Sequence, residues 1–194
     1  MITAIILAAG QSKRMGEPKM LMPWGRSTVL QTVISTFQSA GVGDILVVTG
    51  GARAQVEALI GKTVQTVFNE EYEKGEMLSS IQAGLSAKTR EAGAALICLG
   101  DQPQVQERTV RRVCDAFMLN KSQLVVPSFE MQRGHPWLVA RPLWDELRAL
   151  KSPSTPRDFL KKHSRHIHYV EVDSPSILQD LDTPEDYTKY KSAP

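Results

Sequence analysis

The sequence predicts an α/β protein in which one open, mostly parallel sheet is covered by helices on both faces, giving three layers. Two kinds of observation carry that expectation. Apolar runs of strand length end on glycine, as at residues 2–10, 44–51 and 94–100, and strands buried on both faces read as such continuous runs. Between them lie segments whose apolar residues recur at helical spacing, and the two patterns alternate along the chain. At 194 residues the chain is sized for one domain, spanning 1–194.

The elements follow in order. Residues 2–9 form the first buried strand, with Gly10 as its stop. Val29, Leu30, Val33, Ile34, Phe37 and Ala40 lie on one helical face; Ser27 or Thr28 caps its start and Gly41 supplies a left-handed stop. DILVVTGG reads as a second strand, RAQVEALIG as a short helix, and Thr63 to Phe68 as a brief strand. Leu78, Ile81 and Leu85 mark a third helix, and AALICLG, residues 94–100, a further buried strand. A helix through Val110, Val113, Cys114 and Phe117 leads to the strand LVVPS, a Gly- and Pro-marked loop, a strand near Trp137 to Ala140 and a helix through Trp144 and Leu147. HIHYVEVD and TPEDYTKYK close the chain as a strand and a helix. No repeat, linker or low-complexity segment interrupts this series.

Composition narrows the function classes. Lys and Arg number 23 against 21 Asp and Glu, a net charge of +2 with no continuous basic stripe, which argues against a nucleic-acid partner. No run of 18 apolar residues reads as a membrane span. The apolar start MITAIILAAG lacks the basic residues that open a signal peptide, so a buried strand and a cytoplasmic protein are expected. Cys98 and Cys114, 16 residues apart, fall on a strand-like run and a helical stripe and read as core thiols. His163, His166 and His168 read as surface residues around the last strand.

Three loops carry chemistry. LAAGQSKRMGEPKML, residues 7–21, leaves the first strand at its carboxyl end with two glycines and the cations Lys13, Arg14 and Lys19. Glycines expose backbone N–H groups to an anion, and three cations offset about three to four negative charges, so the natural guest is a polyphosphate. Neither G-x-x-x-x-G-K-[ST] nor G-x-G-x-x-G is present, because Gly10 and Gly16 stand six apart. A nicotinamide-dependent reductase would also need an acidic residue ending the second strand, where this chain has Thr49-Gly50-Gly51.

The second loop, CLGDQP at 98–103, ends a strand on Gly100-Asp101; a carboxylate there either caps the following turn or helps to hold Mg²⁺, which favours one or two carboxylates plus substrate phosphates. The third, LQDLDTPEDY at 178–187, holds Asp180 and Asp182. Asp182 with Glu185 forms a capping-box pattern, and Thr183 before Pro184 is an alternative cap, so Asp182 is a structural or a metal-binding residue. Asp180 is a second-ligand candidate if its loop faces Asp101.

The run LAAGQSKRMGEPKMLMPWG resembles, without a gap, the signature LAAG-x-S-x-R-M-G-x-x-K-x-L-x-P of nucleotidyltransferases that transfer a nucleoside monophosphate from an NTP. GDQP, RGHP at 133–136 and DLDTPEDY follow in the order and spacing of the molybdenum-cofactor branch, so the resemblance covers essentially the whole chain. Within that branch the sequence is similar to the cytidylyltransferases, which read LAAG where guanylyl members usually read LAGG. The resemblance implies a Rossmann-like nucleotidyltransferase fold of the nucleotide-diphospho-sugar transferase type, with CTP and a phosphorylated pterin cofactor as substrates and Mg²⁺ as cofactor. It implies that Leu7, Ala8, Ala9 and Gly10 meet the nucleotide, that Ser12, Lys13, Arg14 and Lys19 serve its triphosphate, and that Gly75 and Ser80 lie near base and ribose. Lys19, Arg14 and Asp101 would be catalytic, Asp101 with Asp180 or Asp182 would hold the metal, and Gly134, His135 and Pro136 would face the acceptor. A molybdenum enzyme or its insertion chaperone is the implied transient partner. The alternatives are a transferase of the same superfamily using GTP or another NTP with a sugar phosphate, alcohol phosphate or phospholactate, and a non-catalytic cofactor carrier.

Overall fold

The structure, a computed structural model, describes residues 1–74, 76–87 and 92–191. The first buried run becomes β1 (Ile2–Ala8). A two-residue-per-strand hairpin follows, β2 (Pro23–Trp24) and β3 (Ser27–Thr28), turning at Gly25 with φ +58°. Thr28 caps α1 (Val29–Ser39) by accepting from the Gln31 N–H, and Gly41, at φ +88°, ends it. Next come β4 (Asp44–Thr49), α2 (Arg53–Ile60), β5 (Gln65–Phe68) and α3 (Met77–Ala87). Then β6 (Ala94–Leu99), α4 (Glu107–Asn120), β7 (Leu124–Phe129), β8 (Gln132–Arg133) and β9 (Trp137–Ala140) carry the chain across the sheet. The last elements are α5 (Trp144–Ala149), α6 (Pro156–Lys162), β10 (Ile167–Glu171) and α7 (Pro184–Lys191).

The main sheet runs β10-β7-β9-β6-β1-β4-β5, with β8 paired to the end of β7. β1 pairs in parallel with β4 and β6, β4 with β5, and β7 with β10. Alternate residues of β1 enter opposite cores. Ala4, Ile6 and Ala8 meet α1, α2 and α4 residues such as Leu30, Phe37, Val56 and Val113. Ile5, Leu7 and Ala9 meet α3, α5 and α6 residues such as Ile81, Leu85, Trp144 and Phe159. Burial on both faces is why β1 carries no polar alternation. α3 packs so closely on β1 that a Cβ at Gly84 would lie 2.4 Å from Ile5 Cγ2.

The sheet is open and mostly parallel as expected, with β9 running antiparallel to both β6 and β7. Other expectations are corrected or refined. α6 lies in a stretch to which the sequence pattern assigned no element: Thr155 accepts from the Asp158 N–H while the Asp158 carboxylate accepts from the Thr155 N–H, with Pro156 at the first turn. At the C-terminal helix Asp182 is not the cap; Thr183 accepts from the Asp186 N–H and the Asp186 carboxylate accepts from the Thr183 N–H. His163 is not a surface residue: its ring packs 4.7 Å from that of Phe159 and its Nε2 lies 3.0 Å from Glu146. Cys98 is buried, Cys114 partly so, and both are free thiols.

Candidate active site

A cleft of about 470 Å³ opens beyond the carboxyl ends of β1 and β6. Those strands are adjacent, and the chain departs from β1 toward β4 on the opposite side, so this is the point where strand order reverses and where open α/β sheets bind ligands.

The loop after β1 is shaped by Ser12, held at φ +52°. Its carbonyl accepts from the Met15 and Gly16 N–H groups, and its hydroxyl accepts from the Lys19 N–H at 3.1 Å. Ser12 therefore orients Lys19 as well as lining the cleft. The Lys19 ammonium is largely buried and donates to the Asp101 carboxylate and, at 3.3 Å, to Asp182 Oδ1. Burial alone would lower its pKa, but attraction by Asp101 and then Asp182 outweighs that and raises it. Arg14 is largely exposed and reaches Asp182 Oδ2 at 3.0 Å. Lys13 stands exposed at the rim.

Four hydrogen bonds bring the C-terminal carboxylates here. The Leu181 N–H donates to the Asp101 carbonyl, Gln104 Nε2 to the Gln179 carbonyl, and Gln102 Nε2 to both the Ile177 carbonyl and Asp180 Oδ1. Burial, and behind it the Asp101 charge, pushes the Asp180 carboxyl up to about 6, against the hydrogen bond from Gln102. Among the described residues no three His, Cys, Asp or Glu side chains are grouped to cage a metal. The donor chemistry nevertheless fits Mg²⁺ held jointly with a substrate. The cleft is lined by the cations Lys13, Arg14 and Lys19 and by the carboxylates of Glu73, Glu76, Asp101, Asp180 and Asp182. A triphosphate entering this acidic lining needs a counter-cation, and hard carboxylate oxygens favour a divalent one.

The other expected nucleotide residues are distributed as follows. Leu7, Ala9, Gly10 and Ser80 line the cleft. Ala8 turns its methyl into the core. Ser80 Oγ accepts from Asn69 Nδ2, which also donates to Ser79. Gly75 lies outside the described residues. Gly50 was read only as the end of a strand, yet a Cβ there would lie 2.4 Å from the Ala9 carbonyl oxygen and 2.7 Å from Tyr72 Cβ. Close backbone approach, which no local pattern encodes, lets Ala9 and Tyr72, which both line the cleft, pack against it.

A second cavity of about 420 Å³ adjoins the first, the two sharing Glu76 and Met77. Gly134 and His135 line it, with Trp137, Leu160, Arg133, Arg157 and the 152–156 turn before α6, whereas Pro136 is buried beside it. The turn and Arg157 went unread in the sequence because α6 itself did. Burial pushes the His135 imidazole down to about 4.

Fold and site define a class of α/β proteins in which cations and carboxylates meet in a cleft at the carboxyl end of the first strand. The comparisons are specific: residues 4–167 match the family described as MobA-like NTP transferase domain, and the chain belongs to that family. It is 29% identical to the molybdenum cofactor cytidylyltransferase of Escherichia coli (strain K12) over 98% of this chain and 95% of that protein. It is 27% identical to the nicotine blue oxidoreductase of Paenarthrobacter nicotinovorans, over 95% and 93%. Among solved structures, Rv0371c from Mycobacterium tuberculosis H37Rv superposes with TM-score 0.86 at 30% identity, over 99% of this chain and 97% of that one. A manganese complex of Rv0371C superposes with TM-score 0.81 at 28% identity, over 100% and 99%.

Proposed function

We propose that the protein transfers CMP from CTP to the terminal phosphate of molybdopterin cofactor, releasing pyrophosphate. The observation that carries this reading is the continuity of the two cavities: a cleft with Lys19 between Asp101 and Asp182 opens beside one walled by Trp137, Leu160 and Arg157. One suits a triphosphate, the other a flat, anionic acceptor. The E. coli relative's name supports the choice of substrates.

An oxygen of the acceptor phosphate forms a bond to the α-phosphorus while the bond from that phosphorus to the α–β bridging oxygen breaks, and the electron pair leaves on pyrophosphate. The attacking oxygen is already ionised, so no general base is required. Catalysis rests on alignment and on neutralising charge. Backbone at Ala9 and Gly10 holds the nucleotide, and Lys19 and Arg14 exchange their carboxylate partners for phosphate oxygens, Lys19 stabilising the departing pyrophosphate. Asp101 and Asp180 would hold Mg²⁺: Asp182 is engaged by both Arg14 and Lys19, whereas Asp180 is held by the neutral Gln102 amide. Bound there, Mg²⁺ would supply the charge neutralisation shared by the α-phosphate and the leaving group.

The test is pyrophosphate release in Mg²⁺ with CTP, GTP, ATP and UTP, each with and without molybdopterin cofactor. Release with CTP only when cofactor is present is the expected result. Release with another nucleotide would reassign the donor. No release with any nucleotide, alongside nicotinamide oxidation in a parallel assay, would replace the reading with redox chemistry like that named for the P. nicotinovorans relative. Asp101→Asn keeps the shape of the site and should lower turnover by about 10²–10³; wild-type turnover would remove Asp101 from the mechanism.

A further inference from the structure

The loop after β6 contains an amide whose placement the proposed chemistry does not use. Gln102 is 2% exposed, and its Nε2 donates to Asp180 Oδ1 at 2.7 Å and to the Ile177 carbonyl at 3.3 Å. Its Oε1 is enclosed without a partner among the described residues. The amide orientation is fixed by chemistry, since the reverse would set its oxygen against two acceptors. An enclosed, unpaired oxygen costs stability, and an apolar side chain of the same size would avoid that cost. The donor is the part of this residue the site employs.

Ile177 has a second attachment. Its carbonyl also accepts from the His135 N–H at 3.1 Å, and a Cβ at Gly134 would lie 2.3 Å from the same oxygen. One carbonyl therefore joins the Gln102 amide, on the carboxylate side, to the 134–135 backbone that walls the second cavity.

We infer that Gln102 is a positioning residue which holds Asp180, through Oδ1, oriented for a divalent cation and registers that carboxylate against the wall of the neighbouring cavity. This inference rests on the proposed metal role of Asp180. Supporting groups around metal ligands are worth about 10–100-fold in metal affinity or activity.

The experiment is Mn²⁺ binding to the full chain, without nucleotide, followed by electron paramagnetic resonance, with thermal melts as the folding check. Gln102→Leu keeps the volume and removes the donor; Gln102→Met removes the same donor on an unbranched side chain, covering the case in which the leucine variant fails to fold. Gln82→Leu is the control, because that amide donates to the Leu147, Arg148 and Leu150 carbonyls and touches neither the carboxylates nor their segment. The expected result is a 10–100-fold loss of Mn²⁺ affinity in a folded Gln102 variant, no more than about a twofold change in Gln82→Leu, and a fall in kcat larger than any change in KM for the nucleotide. Equal losses at both glutamines, an unchanged Gln102 variant, or a wild-type protein that binds no Mn²⁺ would overturn the inference. Mn²⁺ binding by a wild-type protein that releases no pyrophosphate would sink the proposed function and leave this assignment standing.

Discussion

Lys19 ties the stability of the cleft to the proposed chemistry. Its ammonium is buried between Asp101 and Asp182, so removing it leaves carboxylates facing one another with less compensation. Breaking a buried pair commonly costs about 3–5 kcal/mol. Lys19→Ala is therefore expected to lose both melting temperature and turnover, whereas Lys19→Arg should retain most of the stability; calorimetry beside the pyrophosphate assay checks both. His135 gives a pH signature of the second cavity. Its imidazole falls to about 4 in the folded chain from an ordinary 6.5, so between those values the unfolded chain binds the extra proton. Stability is then lost as pH drops from about 6.5 to about 4, by up to about 3 kcal/mol. Asp180 acts in the opposite sense, but it is common to wild type and His135→Asn. Urea melts of both at pH 7.5 and 4.5 should show wild type losing more on acidification; parallel curves would refute the buried neutral imidazole.

At the scale of elements, α3 lies against β1 with no room at Gly84. Ala normally stabilises a helix interior by about 1 kcal/mol relative to Gly. Here the added methyl would lie 2.4 Å from Ile5 Cγ2 and 3.2 Å from Val48 Cγ2, and overpacking costs about 1–3 kcal/mol. The clash wins, so Gly84→Ala should lower the melting temperature and raise KM for the nucleotide, because α3 carries Ser80 into the cleft. A melting temperature above wild type would show that propensity wins. The strands and α1 were legible because their patterns are local: continuous apolar runs, a Thr28 cap and a Gly41 stop. The direction of β9 was not, since WLVA reads the same in either orientation and only its neighbours fix it. α6 carried a local signal, Thr155-Pro156 with Asp158, that the surrounding prolines obscured.

Across the whole molecule, the C-terminal segment walls one side of the cleft through Asp180 and Asp182. Leu181 is fully buried with Met15, Met22 and Val29, and Trp24 and Tyr187 pack beside them. The Tyr187 hydroxyl donates to the Pro23 carbonyl, tying α7 to the β2–β3 hairpin. This small core holds the loop of Arg14 against the segment of Asp182. Leu181→Ala should destabilise by about 2–5 kcal/mol and weaken nucleotide binding together, measured by denaturant melts and CTP titration. Weakened folding with unchanged CTP affinity would separate the core from the site.

The cations of 13–19, the carboxylates at 101, 180 and 182 and the alternation of strand and helix were all readable from residue type and spacing, because phosphate loops and buried strands are built from contiguous residues. Which carboxylate meets which cation was decided by the tertiary structure. Asp101 and Asp180 are 79 positions apart, and the hydrogen bonds that join their segments run from Gln102, Gln104 and Leu181 to partners no local pattern specifies. The same holds for Gly50 and Gly134, whose lack of a side chain matters only because Ala9 and Ile177 arrive there in the folded chain.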